Sequence, residues 1–492
     1  MPQVFNPYLP LNEYVPDGEP RVFGDRVYIY GSHDAIGATA YCPGDYVTWS
    51  APVDDLKNWR YEGVIYRKNQ DPSNADSAMQ LWAPDVTMGP DGRYYLYYCF
   101  SFYPEIGVAV ADSPVGPFEF LDHVHYADGR LLREFMPFDP AILNDNGRPF
   151  IYYGFTPGGE KPMEMPKFTE EQLAEMPENM RKMASTISSI KFGDYSMVAE
   201  LEPDMVTLRE TPRQLIPSER FSKGTSFEGH GFFEASSIRK IGEKYYFVYS
   251  SHKSHELCYA TSDKPDRDFV YGGTIISNGD IGLNGREIPT RTIGNNHGGI
   301  AVIKDRPYIF YHIQTDGSEY SRQGCAEPID IKEDGSIAQV ECTSCGLNGG
   351  PLLADGSYPA SIACFMRCPK LPNDIDFNRP IMKEITRVTE TYNESYVTDI
   401  VDGSVIGYKY FSFLGASMMT VEIRGAFDGA IIVSTDTESK NQIGEIEVQL
   451  NNKNDWRTQL IPIADVSGKQ ALYFTFKGQG NLDLKGFSFV NL

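Results

Sequence analysis

One pattern recurs five times in this chain, and it constrains the fold more than any other feature. Each copy is a polar strand, a tight turn built on Gly, Asp or Asn, and an aromatic strand. The copies are Asp17-GEPRVFGDRVYIYGS, Asp85-VTMGPDGRYYLYYC, Asp139-PAILNDNGRPFIYYG, Glu234-ASSIRKIGEKYYFVYS and His297-GGIAVIKDRPYIFYH. The turns GDR, PDGR, DNGR, GEK and KDR carry the residues that hairpins need. Aligned on Tyr28, Tyr95, Phe150, Tyr246 and Tyr308, the copies lie 67, 55, 96 and 62 residues apart, which is room for four strands and variable loops. A composition with 31 Tyr, 45 Gly and 33 Pro suits many short strands joined by turns. Radial repetition of such sheets predicts an all-β chain with a five-bladed β-propeller.

The register of the repeat carries functional information. The polar residue that opens each copy lies 11, 10, 11, 12 and 11 positions before the aligned aromatic. In a propeller the innermost strands line the axis, so Asp17, Asp85, Asp139, Glu234 and His297 are expected to converge at one end of a central funnel. Singly, Asp139 before Pro140, or Asp85 in Trp82-Ala-Pro-Asp85, reads as a turn former. Five ionisable groups in near register read differently, because an unpaired charge on a packed axis is costly unless it serves chemistry. Carboxylates around a concave site are the equipment of glycoside hydrolysis: one protonated acid serves the leaving oxygen, and one carboxylate activates water or attacks the sugar. Aromatic walls such as Trp82 suit the faces of a sugar ring.

Other features narrow the class. The net charge of −23 opposes a nucleic acid or an anionic membrane as main partner. No apolar run reaches 18 residues. The opening MPQVFNPYLPLNEYVPDGEP has no basic or apolar leader region, so a cytoplasmic location is expected. The eight cysteines are scattered; Cys342-Thr-Ser-Cys345 has zinc-ligand spacing but lacks His partners, so buried free thiols are expected. The stretch from about 158 to 190 reads as a short helix inside a long insertion in the third repeat, which explains the spacing of 96.

The ordered set Asn6-Pro-Tyr-Leu-Pro, Pro16-Asp17-Gly-Glu-Pro20, Trp82-Ala-Pro-Asp85, Phe138-Asp139-Pro140 and Glu234 ahead of YYFVYS resembles glycoside hydrolase family 43 over about residues 3 to 340. The resemblance implies a five-bladed propeller of inverting enzymes that act on arabinose- and xylose-containing polysaccharides. It implies Asp17 as general base, Asp139 as the residue that tunes and orients the acid, and Glu234 as general acid. The family usually has Glu-Gly-Pro-His at the acid, whereas this chain has Glu234-Ala-Ser-Ser. Glu228, in Phe227-Glu-Gly-His230, is therefore a rival, and Glu234 is preferred because it keeps the register. Trp82 and Asp85 match a sugar-subsite motif, and Arg322 resembles an arginine that binds substrate hydroxyls. His297, in Asn295-Asn-His-Gly-Gly299, matches an axial histidine that often binds a hydrated calcium. Because Ca²⁺ prefers oxygen, waters would supply most of its shell.

The texture changes near residue 380. Residues 1–370 are expected to form the propeller, 371–380 a linker, and 381–492 a jelly-roll-like β-sandwich. The runs Tyr408-KYFSF, Met419-TVEIRG, Gly429-AIIVST, Ile446-EVQL, Gln470-ALYFTFKG and Gly486-FSFV supply the strands of the sandwich. This segment resembles carbohydrate-binding module family 6, although Lys485 stands where that family commonly has a calcium-holding Asp, and no pair of aromatics plainly forms a sugar cleft. The expected activity is inverting exo-hydrolysis of α-L-arabinofuranosyl groups from arabinoxylan oligosaccharides. The alternatives are a β-xylosidase or arabinanase of the same family, a phosphorylase, or a non-catalytic sugar-binding propeller.

Overall fold

The hairpin periodicity is realised as five antiparallel sheets in a computed structural model, which describes residues 3–158, 161, 167–176, 181, 184, 188, 190–371, 385–391 and 394–490. Four blades have four strands each, joined in sequence order. Their inner strands are Glu19–Phe23, Asp85–Met88, Ala141–Asp145 and Phe232–Ile241, and each pairs with the aromatic strand that follows it. The fifth blade has three strands, Ile300–Ile303, Arg306–Gln314 and Arg322–Pro328. The N-terminal segment closes the ring along this blade. Tyr8 donates its amide to Gly324, and the Asn6 side chain both donates to the Ala326 carbonyl and accepts from its amide. In the third blade the helix Glu170–Glu175, capped by Thr169 and Gln172, lies between the second and third strands, where the sequence places its insertion.

Strand pairing refines the register read from the sequence. Tyr28 faces Arg21, Phe150 faces Leu143, Tyr246 faces Arg239 and Tyr308 faces Ala301, each with the same offset. Tyr95 faces Thr87, one residue further back, because the turn closed by Gly89 and Arg93 holds one residue more than the two-residue turns elsewhere. Asp85 is therefore level with Glu19, Ala141 and Ser237, one layer down the axis from Asp17, Asp139 and His297. Side chains two positions apart share a face, so Asp85 still points to the axis, only deeper. In the fourth blade the pairing is bulged on both sides of Glu234, which faces Ser250 where an unbroken ladder would put Ala235. Ala235 takes a φ of +67° at this bulge. The bulge lifts Glu234 into the layer of Asp17 and Asp139, a re-aiming that bulges commonly provide beside active sites.

The C-terminal β-domain is one sheet of nine strands around a large apolar core that includes Phe411, Phe427, Phe474 and Phe487. The short runs expected from sequence are parts of long strands. The Met419 and Gly429 runs share Met418–Ser434, and the Gln470 and Gly486 runs share Ser467–Val490. Glycines within these strands read as ends, yet Gly425 lies against Leu482 so closely that a Cβ would sit 2.5 Å from the Asn481 carbonyl oxygen. It marks a bulge in a continuous strand. The sheet also begins earlier than the boundary expected at 370. Leu352–Leu353, Gly356–Pro359 and Phe365–Arg367 pair with its strands. Their Gly- and Pro-rich surroundings conceal them as loops in the sequence. Residues 372–380 of the expected linker lie outside the described residues. Among the described residues, no helix is long and apolar enough to cross a membrane. All eight cysteines are free thiols. Cys342 donates to the Ser277 carbonyl and Cys345 contacts the Thr343 hydroxyl.

Candidate active site

The inner strands deliver their side chains to a cavity of about 770 Å³ at one end of the axis. Asp17, Asp139, Glu234, Trp82, Arg322 and His297 all line it. Glu228 does not; it is exposed and accepts a hydrogen bond from the Gly224 amide. Nor does Asp85, which corrects its expected place in a sugar subsite. Its carboxylate is fully buried, and its oxygens accept from the Arg21 guanidinium and from the amides of Val86 and Ile142. Every lone pair that could meet a sugar hydroxyl is thus committed to tying three blades together.

Arg322 is buried, and two carboxylates hold its guanidinium. Its Nε and Nη2 fork onto Asp34 at 2.8 and 3.1 Å, its Nη1 donates to Asp17 at 2.9 Å, and the Tyr41 ring covers one face at 4.9 Å. It is first a positioning residue for Asp17. His312, which closes the fifth repeat, completes the arrangement. Its Nε2 donates to the Asn295 carbonyl at 2.7 Å, so its Nδ1 accepts the Asp17 amide at 3.2 Å. That bond holds Asp17 at a φ of +56°, in the left-handed region that Asp tolerates. Burial pushes the Asp17 carboxyl up, but the Arg322 guanidinium and the nearby histidines outweigh it and hold the group below its usual value. The stabilisation linked to Asp17 is therefore present at neutral pH and is lost as the solution is acidified through the carboxylate range. Arg322→Met strands two buried carboxylates. It is expected to cost about 3–5 kcal/mol of stability, read as a lower urea midpoint at pH 7.

The other two carboxyls behave oppositely. Glu234 is pushed up to about 8, first by burial and then by the negative charge of Asp17. Asp139 is also pushed up, by burial, Glu234 and Asp17. Two such neighbours cannot both ionise, and the amide of Ala235 donating to Asp139 at 2.9 Å favours the anion there. Because Glu234 keeps its proton folded and loses it unfolded, native stability falls between about pH 4.5 and 8. A Glu234→Gln variant is expected to melt above the wild type at pH 8 but not at pH 4.5, as calorimetry would show.

Aromatic rings shape the rest of the cavity. Trp82 packs edge-on against Phe102 and Phe138, and Phe155 and Phe233 line the neighbouring wall. His297 stands beside Asp139, with Nδ1 3.6 Å from Oδ2, and burial lowers its pKa. Its Nε2 faces Oε1 of Glu19 at 3.8 Å, and neither atom has a hydrogen-bond partner.

A cavity that gathers an ionised carboxylate, a protonated one and aromatic walls is built for acid–base work on a sugar. Residues 12–337 match the family model of glycosyl hydrolases family 43. The chain belongs to this family. Over 99% of its length it is 46% identical to a xylosidase/arabinosidase of Thermoclostridium stercorarium, covering 98% of that protein. An arabinoxylan arabinofuranohydrolase from Bacillus subtilis, solved with cellotetraose, has the same fold across 98% of this chain and 96% of that one, at a TM-score of 0.50 and 21% identity. A family 43 enzyme from Xanthomonas citri complexed with xylose matches 69% of this chain and 93% of that one, at a TM-score of 0.51 and 25% identity. As a family 43 protein, this chain is a glycoside hydrolase. The sequence reading missed Asp34, Tyr41 and His312, although His312 stands at the end of the fifth repeat and was visible there.

Proposed function

We propose that this enzyme removes terminal α-L-arabinofuranosyl groups from arabinoxylan oligosaccharides with inversion, and that β-D-xylosyl groups are its second substrate. The observation that carries the mechanism is the opposed ionisation of Asp17 and Glu234 around one cavity. Glu234 gives its proton to the glycosidic oxygen as the bond to the anomeric carbon breaks. Asp17 takes a proton from the water that attacks that carbon from the opposite face. Asp139, which accepts the amide of Ala235 next to Glu234, positions the acid. Trp82 and its neighbouring rings receive the apolar face of the pentose.

The choice of sugars rests on the relative named a xylosidase/arabinosidase over nearly the full chain. The two pentosides present similar hydroxyl arrays to one pocket. The test is the order of product release from arabinose-substituted xylo-oligosaccharides by liquid chromatography. Arabinose is expected first; xylose first would make the enzyme a β-xylosidase in the first place.

An ion on the axis fits the donor set in one form only. The unpartnered Nε2 of His297 and Oε1 of Glu19 offer one nitrogen and one oxygen, too few for bare Ca²⁺, so His297 would hold a calcium mainly through its waters. Such an ion would add positive charge near the carboxylates. For the C-terminal β-domain we favour a structural role over glycan capture. Its aromatic pair, Trp456 and Tyr396, lies under the Arg424 guanidinium, at 4.2 and 4.7 Å. Lys485 is held between Glu394 and Glu422 on the same face.

A further inference from the structure

Two loops that wall the cavity are fastened to the C-terminal β-domain. The first runs from Pro289 to Ile293 and lines the cavity with four residues. Its Thr290 carbonyl accepts the Met366 amide at 2.9 Å, and its Pro289 carbonyl accepts from the Arg367 guanidinium at 3.1 Å. The second runs from Thr315 to Ser321 and presents Ser318, Glu319 and Tyr320 to the cavity. Its own closure is local, through Thr315 and Ser321. Its outer edge is held by strand Arg387–Thr391 of the C-terminal domain. The Asp316 amide donates to the Val388 carbonyl at 2.8 Å, and the Thr389 hydroxyl donates to the Asp316 carboxylate at 2.6 Å. The same domain also puts Ile385 directly into the cavity lining.

From this second loop the contacts continue inward. The Glu319 carboxylate accepts the Tyr41 hydroxyl at 3.0 Å, and the Tyr320 ring meets the Tyr41 ring edge-on at 4.8 Å. Tyr41 lines the cavity and covers Arg322. Asp316 itself sits at a φ of +53°, in the left-handed region that Asp tolerates, and the two bonds from the C-terminal strand fix the loop there.

We propose that the C-terminal β-domain is a wall of the substrate pocket, with Asp316 and Thr389 as positioning residues that set Glu319, Tyr320 and Tyr41 against the bound sugar. The proposal rests on the reading of this cavity as the glycosidase site, and it turns the expected choice between glycan capture and packing that completes the pocket into a specificity role carried by named residues. Loss of the strap frees the loop but leaves Asp17, Asp139 and Glu234 in place. Binding therefore weakens while the chemical step is spared.

The test is steady-state kinetics of the full chain on an aryl α-L-arabinofuranoside and on an arabinoxylo-oligosaccharide. Asp316→Ala and Thr389→Val are each expected to raise KM about tenfold, the scale of one lost hydrogen bond to a charged group, with kcat within about twofold. Thr389→Ser, which restores the hydroxyl, should return KM to the wild-type value. If Asp316→Ala fails to fold, the near-isosteric Thr389→Val and its Ser rescue still decide the matter. Unchanged KM in an active Thr389→Val enzyme, or a loss confined to melting temperature and kcat, overturns the proposal and leaves the glycosidase reading intact. A wild type inactive on every pentoside overturns both.

Discussion

Glu234→Gln should lose about a thousandfold in kcat on xylo-oligosaccharides while its KM changes little, since general acid catalysis contributes on that scale. The carboxamide keeps the shape of the side chain and removes the proton that Glu234 holds with a pKa of about 8. The loss should depend on the leaving group. A nitrophenyl group departs without protonation, so an aryl arabinoside should recover most of the lost rate, whereas a sugar leaving group should not. The wild-type rate should also fall above about pH 8, as the acid ionises, and the variant should lack that alkaline limb. A pH–rate profile of kcat/KM reads this directly. An unchanged alkaline limb in the variant would remove Glu234 from the acid role.

Asp17→Asn should be worse, by up to about ten-thousandfold, and with no relief from a better leaving group. An amide cannot take the proton of the attacking water, whatever group departs. The substitution also leaves Arg322 with one buried partner, Asp34, in place of two. A modest drop in melting temperature should accompany the loss, and circular dichroism separates that effect from the kinetic one. Equal losses on aryl and sugar leaving groups distinguish a base from an acid. A loss that shrinks with a better leaving group would exchange the roles given to Asp17 and Glu234.

The fold was legible because its elements are local. Each hairpin carries its own turn residues and its own aromatic strand, so five copies announce five blades without knowledge of a single long-range contact. The position of Asp17, Asp139 and Glu234 in one cavity followed from the same count. The count failed where turn length or pairing varied. One additional residue in the turn after Met88 sends Asp85 a layer down the axis, where Arg21 claims it. The bulge at Ala235 does the reverse for Glu234 and makes a one-residue slip productive. Arg322 was expected to bind substrate, and it does line the cavity, yet its donors are directed at Asp17 and Asp34 by partners some 300 residues away in sequence. Such contacts have no local signature. The same holds for the C-terminal sheet. Its strands from Leu352 onward are short and lie among glycines and prolines, and only pairing with distant strands shows where they belong.

The central claim is that Asp17 works through a water molecule, with Glu234 as its acid on the opposite side of the sugar. Proton NMR of the enzyme acting on an arabinose-substituted xylo-oligosaccharide, followed from the first minutes before mutarotation, tests it most directly. The account predicts that the first anomeric signal to rise belongs to the β-anomer of free arabinose, inverted from the α-linked substrate. Initial release of the α-anomer would mean a retained configuration and a carboxylate that attacks the sugar itself, and would contradict the roles assigned to both residues.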